Sequence, residues 1–387
     1  MSNAGRTWPS ETSVEQDPIS RIPVRRLTAY LGHSHHFYFT NPGWYDRGQR
    51  LLFGSERANA ANLFSVQLST GQIMQLTDFP PEKDYPPALS FLHASVNPRR
   101  DEAYFWRGHE LLALDLSSLA LRTLYDLDPA FRPTNTSVSA DGTAVFSGVH
   151  EDLSKKFAVS LQYGYVGFRE YFEAHPLSRV IEAATDGAGA CVLWEEKNWL
   201  GHVNASPTQS HLLTFCHEGP WNRVDCRIWG LDRSADKVWK IRPTQAGEYV
   251  GHEYWLADGF HLGFHGKTLQ GDGQHVFGFI RYDNTEHVEV TFPHSSMHFH
   301  SNTMDLLIGD GSASDANVYL WAFRDGKFSP RRVLCQHRSS FHIQQTHVHP
   351  RFSPDGRRAI FTSDALGYGN VYMADIPPFE SLPAGPN

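Results

Sequence analysis

FSPDGRRAIFTSDALGYGNVYMADI, residues 352–376, alternates apolar and polar side chains on both sides of a Pro354-Asp355-Gly356 turn. Alternation puts one face of each run into a core, and Pro-Asp-Gly closes a tight turn, so the stretch reads as strand, turn, strand, loop, strand. Weaker copies recur upstream. YDRGQRLLFGSERANAANLFSVQLSTGQIMQLTD, residues 45–78, adds a fourth strand after Gly71. Residues 96–125 and 138–148 begin further copies, and three more start near Ala205, Ala257 and Asn302. A period of about 40–50 residues with four short strands per unit is the pattern of propeller blades, where each small sheet covers its neighbour. The expected fold is an all-β, seven-bladed β-propeller with four-stranded blades.

The last copy stops after its third strand, at Ile376. Residues 22–28, IPVRRLT, resemble residues 73–77, IMQLT, of the first full blade. An N-terminal strand that completes the C-terminal blade closes the ring and removes two exposed edges. The expected organisation is a mobile tail over residues 1–20, one catalytic propeller domain over 21–378 and a short tail over 379–387. An inserted loop at about 151–177 contains FREYFEAHP.

Composition narrows the function. The net charge is −8 and the sequence pI near 6.2, which argues against a nucleic-acid partner. No window approaches a membrane-spanning length of apolar residues, and the N-terminus lacks the apolar stretch of a secretory signal. The reading is a cytoplasmic protein without an obligate protein partner. Cys191, Cys216, Cys226 and Cys335 are scattered without CxxC spacing, as reduced thiols are.

The 22 histidines carry the chemistry. Aligned on the turn position of Asp355, His93, His202, His252 and His349 share one phase of the repeat, six residues before it. His298 is one residue off, and Asn41 and Asn135 take the phase in two other units. One phase means one height on the innermost strands, so a ring of side chains at one mouth of the channel is expected. Gln344-Gln345-Thr346-His347-Val348-His349 is the sharpest local word. His347 and His349, two apart on a strand, face one way and form a chelating pair. His298 or His300 supplies a third imidazole. Gln344 has the wrong strand parity and joins only if a turn precedes His347. Imidazole plus an amide oxygen suits manganese, zinc, iron or nickel.

Several uncommon words sit beside these residues. They are Asn198-Trp199-Leu200-Gly201-His202, Phe215-Cys216-His217-Glu218-Gly219-Pro220, Val224-Asp225-Cys226-Arg227-Ile228-Trp229, His252-Glu253-Tyr254-Trp255, Gly309-Asp310-Gly311-Ser312 and residues 344–349. In order and spacing they resemble the oligogalacturonate lyases, polysaccharide lyase family twenty-two, over about residues 26–377. The resemblance implies eliminative cleavage of short pectin fragments, a small oligouronide substrate and manganese as cofactor. It carries the base onto His252, the key arginine onto Arg227 and the metal ligands onto His298, Gln344, His347 and His349. Four departures stand out. Met297-His298-Phe299-His300-Ser301-Asn302 replaces the family's Ser-His-Leu-Met-Ser-Asn, Gly251 stands where the family has threonine, the segment between Gly311 and Val333 is short, and Gly32-His33-Ser34-His35-His36 is rich in histidine.

The chemistry suits these residue types. β-Elimination from a 4-linked uronate removes the C5 proton and expels the C4 oxygen. A cation on the adjacent carboxylate stabilises the enolate-like charge. Arg227 is expected to grip a carboxylate through its planar fork, and a neutral histidine is expected to take the proton. His202 and His217 are candidate substrate-binding groups, and either of them, or water, is the candidate acid. Glu253 follows His252 and on a regular strand points to the opposite face, as a structural partner. Competing readings are a lyase or isomerase for another uronic acid, and a TolB-like propeller that binds without catalysis.

Overall fold

The computed structural model describes residues 2–81, 91–161, 164–269 and 273–386. They form two compact units, one built from residues 1–92, 116–119 and 295–387, the other from residues 93–115 and 120–294. Among the described residues there are seven antiparallel sheets, as expected of seven blades.

The second unit holds four sheets of four strands. Their strands are Ser95–Val96 through Leu121–Asp126, Phe131–Val138 through Ala190–Lys197, Leu200–Ala205 through Lys237–Lys240, and Tyr249–Trp255 through Val288–Thr291. The core lies between consecutive sheets. Tyr104, Trp106 and Leu111 pack on Val145, Val149 and Ile181. Phe146 and Val180 pack on Val203, Leu213 and Phe215. Ile228 and Ile241 pack on Val250, Leu262 and Phe264. The middle strands of such a blade are covered on both faces, which is why Glu102–Arg107, Ala144–Glu151, Leu212–His217 and His275–Arg281 are buried along nearly their whole length.

The first unit holds three sheets. In one, strands Arg50–Ser55, Asn62–Gln67 and Ile73–Gln75 form the body. A second runs from Phe299–His300 to Arg332–Gln336. In the third, strand Pro23–Arg26 pairs with Asn370–Asp375 in the register Val24↔Ala374, Arg25↔Met373, Arg26↔Tyr372. The N-terminal strand therefore completes the C-terminal blade. Its Pro354-Asp355-Gly356 turn closes with Gly356 N–H on the Ser353 carbonyl at 2.8 Å and Gly356 at φ +69°, where a Cβ is disfavoured.

Residues 2–20 carry two paired strands, which corrects the expectation of a mobile tail. Thr7–Trp8 pairs with Ile73–Gln75, and Ser13–Gln16 adds a fifth strand outside Pro23–Arg26. The polar composition hid the anchors. Glu11 pairs with the buried Arg57 at 2.7 Å, and that guanidinium lies over the rings of Trp8 and Tyr30. The C-terminal segment also packs: Leu382 is buried and Val333 N–H donates to the Pro383 carbonyl. In the insertion, helix Phe168–Ala174 seats Tyr171 against Leu153 and Trp199; residues 162–163 of it lie outside the described residues. All four cysteines are free, and among the described residues no helix is long and apolar enough to cross a membrane.

Candidate active site

The shared phase of the histidines has a backbone cause. His202, His252 and His349 hold φ of +48°, +48° and +45°. Non-glycine residues rarely adopt this conformation, which costs on the order of 1–3 kcal/mol each and collects at functional positions. In the sheets of His202 and His252 the inner strand bulges there, the register shifting between Gly201 and Asn204 and between Gly251 and Tyr254. A bulge re-aims the side chains it contains. Asn135 sits one place further along its own bulge, level with Val203 and Glu253, which corrects its place in the ring. Its amide is spent on the Val203 backbone, Nδ2 donating to the carbonyl at 2.6 Å and Oδ1 accepting from the amide at 3.2 Å. His93 lies exposed at the end of a short 3-10 turn, Phe91–His93.

In the first unit His298, His347 and His349 are buried together, with one ring nitrogen of each within 4.8 Å of the others. Asp310 takes the Nδ1 side of His298, the arrangement in which an outer carboxylate orients a ligating imidazole. His347 Nδ1 is buried without a hydrogen-bond partner while the ring is held against the Phe341 backbone. Burial first, and then neighbouring His298, pull the His347 pKa down to about 4. Three buried imidazoles, each bringing one nitrogen to the same small cluster, fit a borderline divalent cation. Gln344 opens a 3-10 turn, Gln344–Thr346, that ends directly at His347. That is the turn its parity required. His300 is buried apart from the trio, its Nδ1 accepting from the Phe352 amide at 3.4 Å, so His298 is the neighbouring histidine that joins the pair.

The histidine-rich word near the N-terminus has a local use. His36 places Nδ1 2.7 Å from the Thr362 hydroxyl and Nε2 2.8 Å from the His349 carbonyl oxygen, and thereby holds the strained backbone of His349. Burial drives its pKa down to about 3.

The second unit assembles Arg227, Glu218, His202, His252, Glu253, His265 and Trp221. Arg227 is 2% exposed and its fork is engaged by Glu218, Nη1 to Oε1 at 2.8 Å and Nη2 to Oε2 at 3.4 Å. The expected open fork for a substrate carboxylate is therefore taken by a carboxylate of the chain itself. Gly251 explains how the arginine fits: a Cβ there would lie 2.5 Å from Arg227 Cδ. Glu253 is fully buried 4.0 Å from Arg227 Nε, and desolvation raises its pKa. Its expected place on the far face is thus corrected, because the bulge at His252 breaks strand parity. Glu218 also approaches His202 Nε2 at 3.4 Å, and its pKa is held low by Arg227 against the cost of burial. His202, Cys216 and Glu218 have metal-like proximity, but the guanidinium on Glu218 already neutralises that carboxylate.

His217, a candidate substrate contact, is tied to carboxylates of the chain itself. Its Nδ1 meets Asp225 at 2.7 Å, its Nε2 meets Glu196 at 2.9 Å, and its ring stacks on Trp229. Both nitrogens are committed to carboxylates that sequence spacing did not connect. Trp221 stands edge-on to His252, with centroids 4.8 Å apart, and lies beneath the Arg227 guanidinium. Neither Trp221 nor His265 was anticipated; neither shares the repeat phase that singled out the other histidines.

Seven antiparallel blades, with a buried histidine trio in one unit and a strained histidine beside a buried arginine in the other, define a seven-bladed β-propeller enzyme. A family model described as oligogalacturonate lyase matches residues 3–380. The chain belongs to the oligogalacturonate lyase family, and is a lyase. It is 26% identical to the oligogalacturonide lyase of Pectobacterium atrosepticum, over 96% of this chain and 98% of that one. It is also 26% identical to the oligogalacturonate lyase of Dickeya dadantii, over 94% and 95%. Among solved structures it superposes on an oligogalacturonate lyase in complex with manganese, with a TM-score of 0.85, 25% identity and coverage of 97% and 99%. The oligogalacturonate lyase of Vibrio parahaemolyticus shares the fold, with a TM-score of 0.84 and 24% identity.

Proposed function

We propose that this protein cleaves short oligogalacturonides by β-elimination, with His252 as the base and a manganese ion held by His298, His347, His349 and Gln344. The observation that carries the reading is the buried histidine trio with Asp310 behind it. Bound there, a divalent cation supplies positive charge for a uronate carboxylate, which makes the C5 proton easier to remove. The manganese bound by a solved relative supports the choice of metal.

The chain's own residues supply the rest. His252 is displayed by its bulge, half-buried, and takes the C5 proton while neutral. Arg227 packs on Trp221 and against Gly251. It acts by charge and by shaping this pocket, since its fork is filled by Glu218. His202 borders the base, ring centroids 6.3 Å apart, and is positioned for a sugar hydroxyl or carboxylate. His217, clamped between Asp225 and Glu196, has no place in this list.

The test is an assay of unsaturated uronate absorbance over a panel of oligouronides, run with added manganese and after chelation. Manganese-dependent product from di- and trigalacturonate is expected. Activity confined to another uronic acid, or unchanged by chelation, would refute the assignment.

A further inference from the structure

Among the described residues the buried arginines each hold a carboxylate. Arg57 pairs with Glu11, Arg227 with Glu218, and Arg242 with both Glu248 and Glu289. Half-buried Arg351 breaks that rule. It follows His349 by two residues and opens the edge strand Arg351–Phe352 of its blade. Phe352 points into the core with Ile308 and Leu320. Alternation turns Arg351 to the opposite face, where its Nη1 donates to the Phe39 carbonyl oxygen. The Phe39 ring lies against the clustered imidazoles, its centroid 5.4 Å from that of His298 and 6.4 Å from that of His349. Arg351 is thereby moored beside the histidine trio.

The other edge of the guanidinium is not used by the chain. Nε is buried without a hydrogen-bond partner. Among the described residues no carboxylate pairs with Arg351, and the ionisable side chains that face it are the imidazoles of His36 and His300. Nε and Nη2 carry two parallel N–H bonds, and a carboxylate satisfies both at once. Charges removed from water are paired as a rule. Here the pairing anion has to come from outside the chain.

We infer that Arg351 binds a carboxylate of the substrate, that of the galacturonate unit next to the one at the metal. The inference rests on the trio being the metal site of an oligogalacturonide lyase. Every unit of such a substrate carries one carboxylate, so a chain held at the trio by one presents another beside it. The contact lies away from the C4 and C5 atoms that react and is the same before and during proton removal. It therefore sets KM rather than turnover. A carboxylate shared with the metal would instead lower kcat, because charge builds there in the transition state. Other cationic candidates are occupied. His36 spends both ring nitrogens on Thr362 and the His349 carbonyl, and the Arg227 fork is filled by Glu218.

The experiment compares wild type, Arg351→Met and Arg351→Lys, each loaded with manganese and assayed for kcat and KM on trigalacturonate. Bound manganese and melting temperature are measured on the same samples. Arg351→Met should raise KM by about 10- to 100-fold, the worth of a hydrogen bond to a charged group, with kcat and manganese content unchanged. Arg351→Lys keeps the charge without the fork and should recover part of the loss. Neither variant should melt below wild type, since the cation removed or replaced has no partner in the chain to lose. An unchanged KM in Arg351→Met, a loss carried by kcat, a KM rise matched by lost manganese or a lower melting temperature, or a lysine variant no better than methionine would overturn the inference. A wild type that cleaves trigalacturonate beside an Arg351→Met of equal KM sinks this inference alone. A wild type without manganese-dependent cleavage of any oligogalacturonide sinks the proposed function and this inference with it.

Discussion

Asp310 accepts two hydrogen bonds from His298, one from ring Nδ1 at 2.7 Å and one from the backbone amide at 2.8 Å. A single buried carboxylate thus sets both the tautomer and the backbone position of one imidazole in the trio. Asp310→Ala should fold and weaken manganese binding by about 10- to 100-fold, the usual effect of removing such a partner. Competition with a metal indicator checks it, and unchanged affinity would remove Asp310 from the site.

His347→Ala combined with His349→Ala removes two of the three clustered imidazoles. Bound manganese, measured by elemental analysis after dialysis, should fall to background. Full occupancy in the double variant would mean the ion is held elsewhere.

His252→Ala should keep its fold and its metal and lose about 10²–10⁴ in turnover, the contribution of a positioned base. Because the residue sits at φ +48°, the substitution leaves a strained backbone behind. His252→Asn, better suited to that conformation, is the control for folding.

Glu218→Gln leaves the Arg227 guanidinium buried without its charged partner. A cost of about 3–5 kcal/mol is expected from breaking a buried pair on one side. Glu218→Gln with Arg227→Met should be less damaging than Glu218→Gln alone. Urea denaturation of the three proteins decides the matter, and a stable single variant would show that the pair is not structural. Arg227→Lys should also destabilise, because an ammonium cannot reproduce the two-pronged contact.

Stability should fall on mild acidification. Burial lowers the pKa of His35 and of His150 to about 4, from an ordinary value of 6.5. The unfolded chain therefore takes up these protons first as pH drops. The associated stability is full above about 6.5, declines as pH falls toward 4 and levels off below it. Thermal unfolding between pH 7 and 5 measures the slope, and His150→Gln should flatten it.

Much of this was legible because a repeat reports on itself. The Pro354-Asp355-Gly356 turn, the missing fourth strand and its match at residues 22–28 needed only alternation and counting. The shared phase of His202, His252 and His349 was visible as spacing, although the left-handed backbone behind it was not. What sequence spacing missed came from contacts between strands. His265 meets His252 through ladder register, Glu218 reaches Arg227 across a strand pair, and His217 finds Glu196 and Asp225 from opposite sides. Glu253 was misplaced because one extra residue in the inner strand reverses parity. The first twenty residues looked mobile because their anchors, Trp8 and Glu11, act on Arg57, more than forty positions away.

Thr28 and Val371 hydrogen-bond at 3.0 Å although 343 residues separate them. On a ribosome, strand Pro23–Arg26 emerges early and must wait for nearly the whole chain before its partner exists. Until then its edge is open to any other strand in reach, and loop closure of this length slows the final pairing. The blade that carries His349 is therefore the last to be completed. A chain that breaks before residue 347 forfeits two of the three clustered histidines along with the seam.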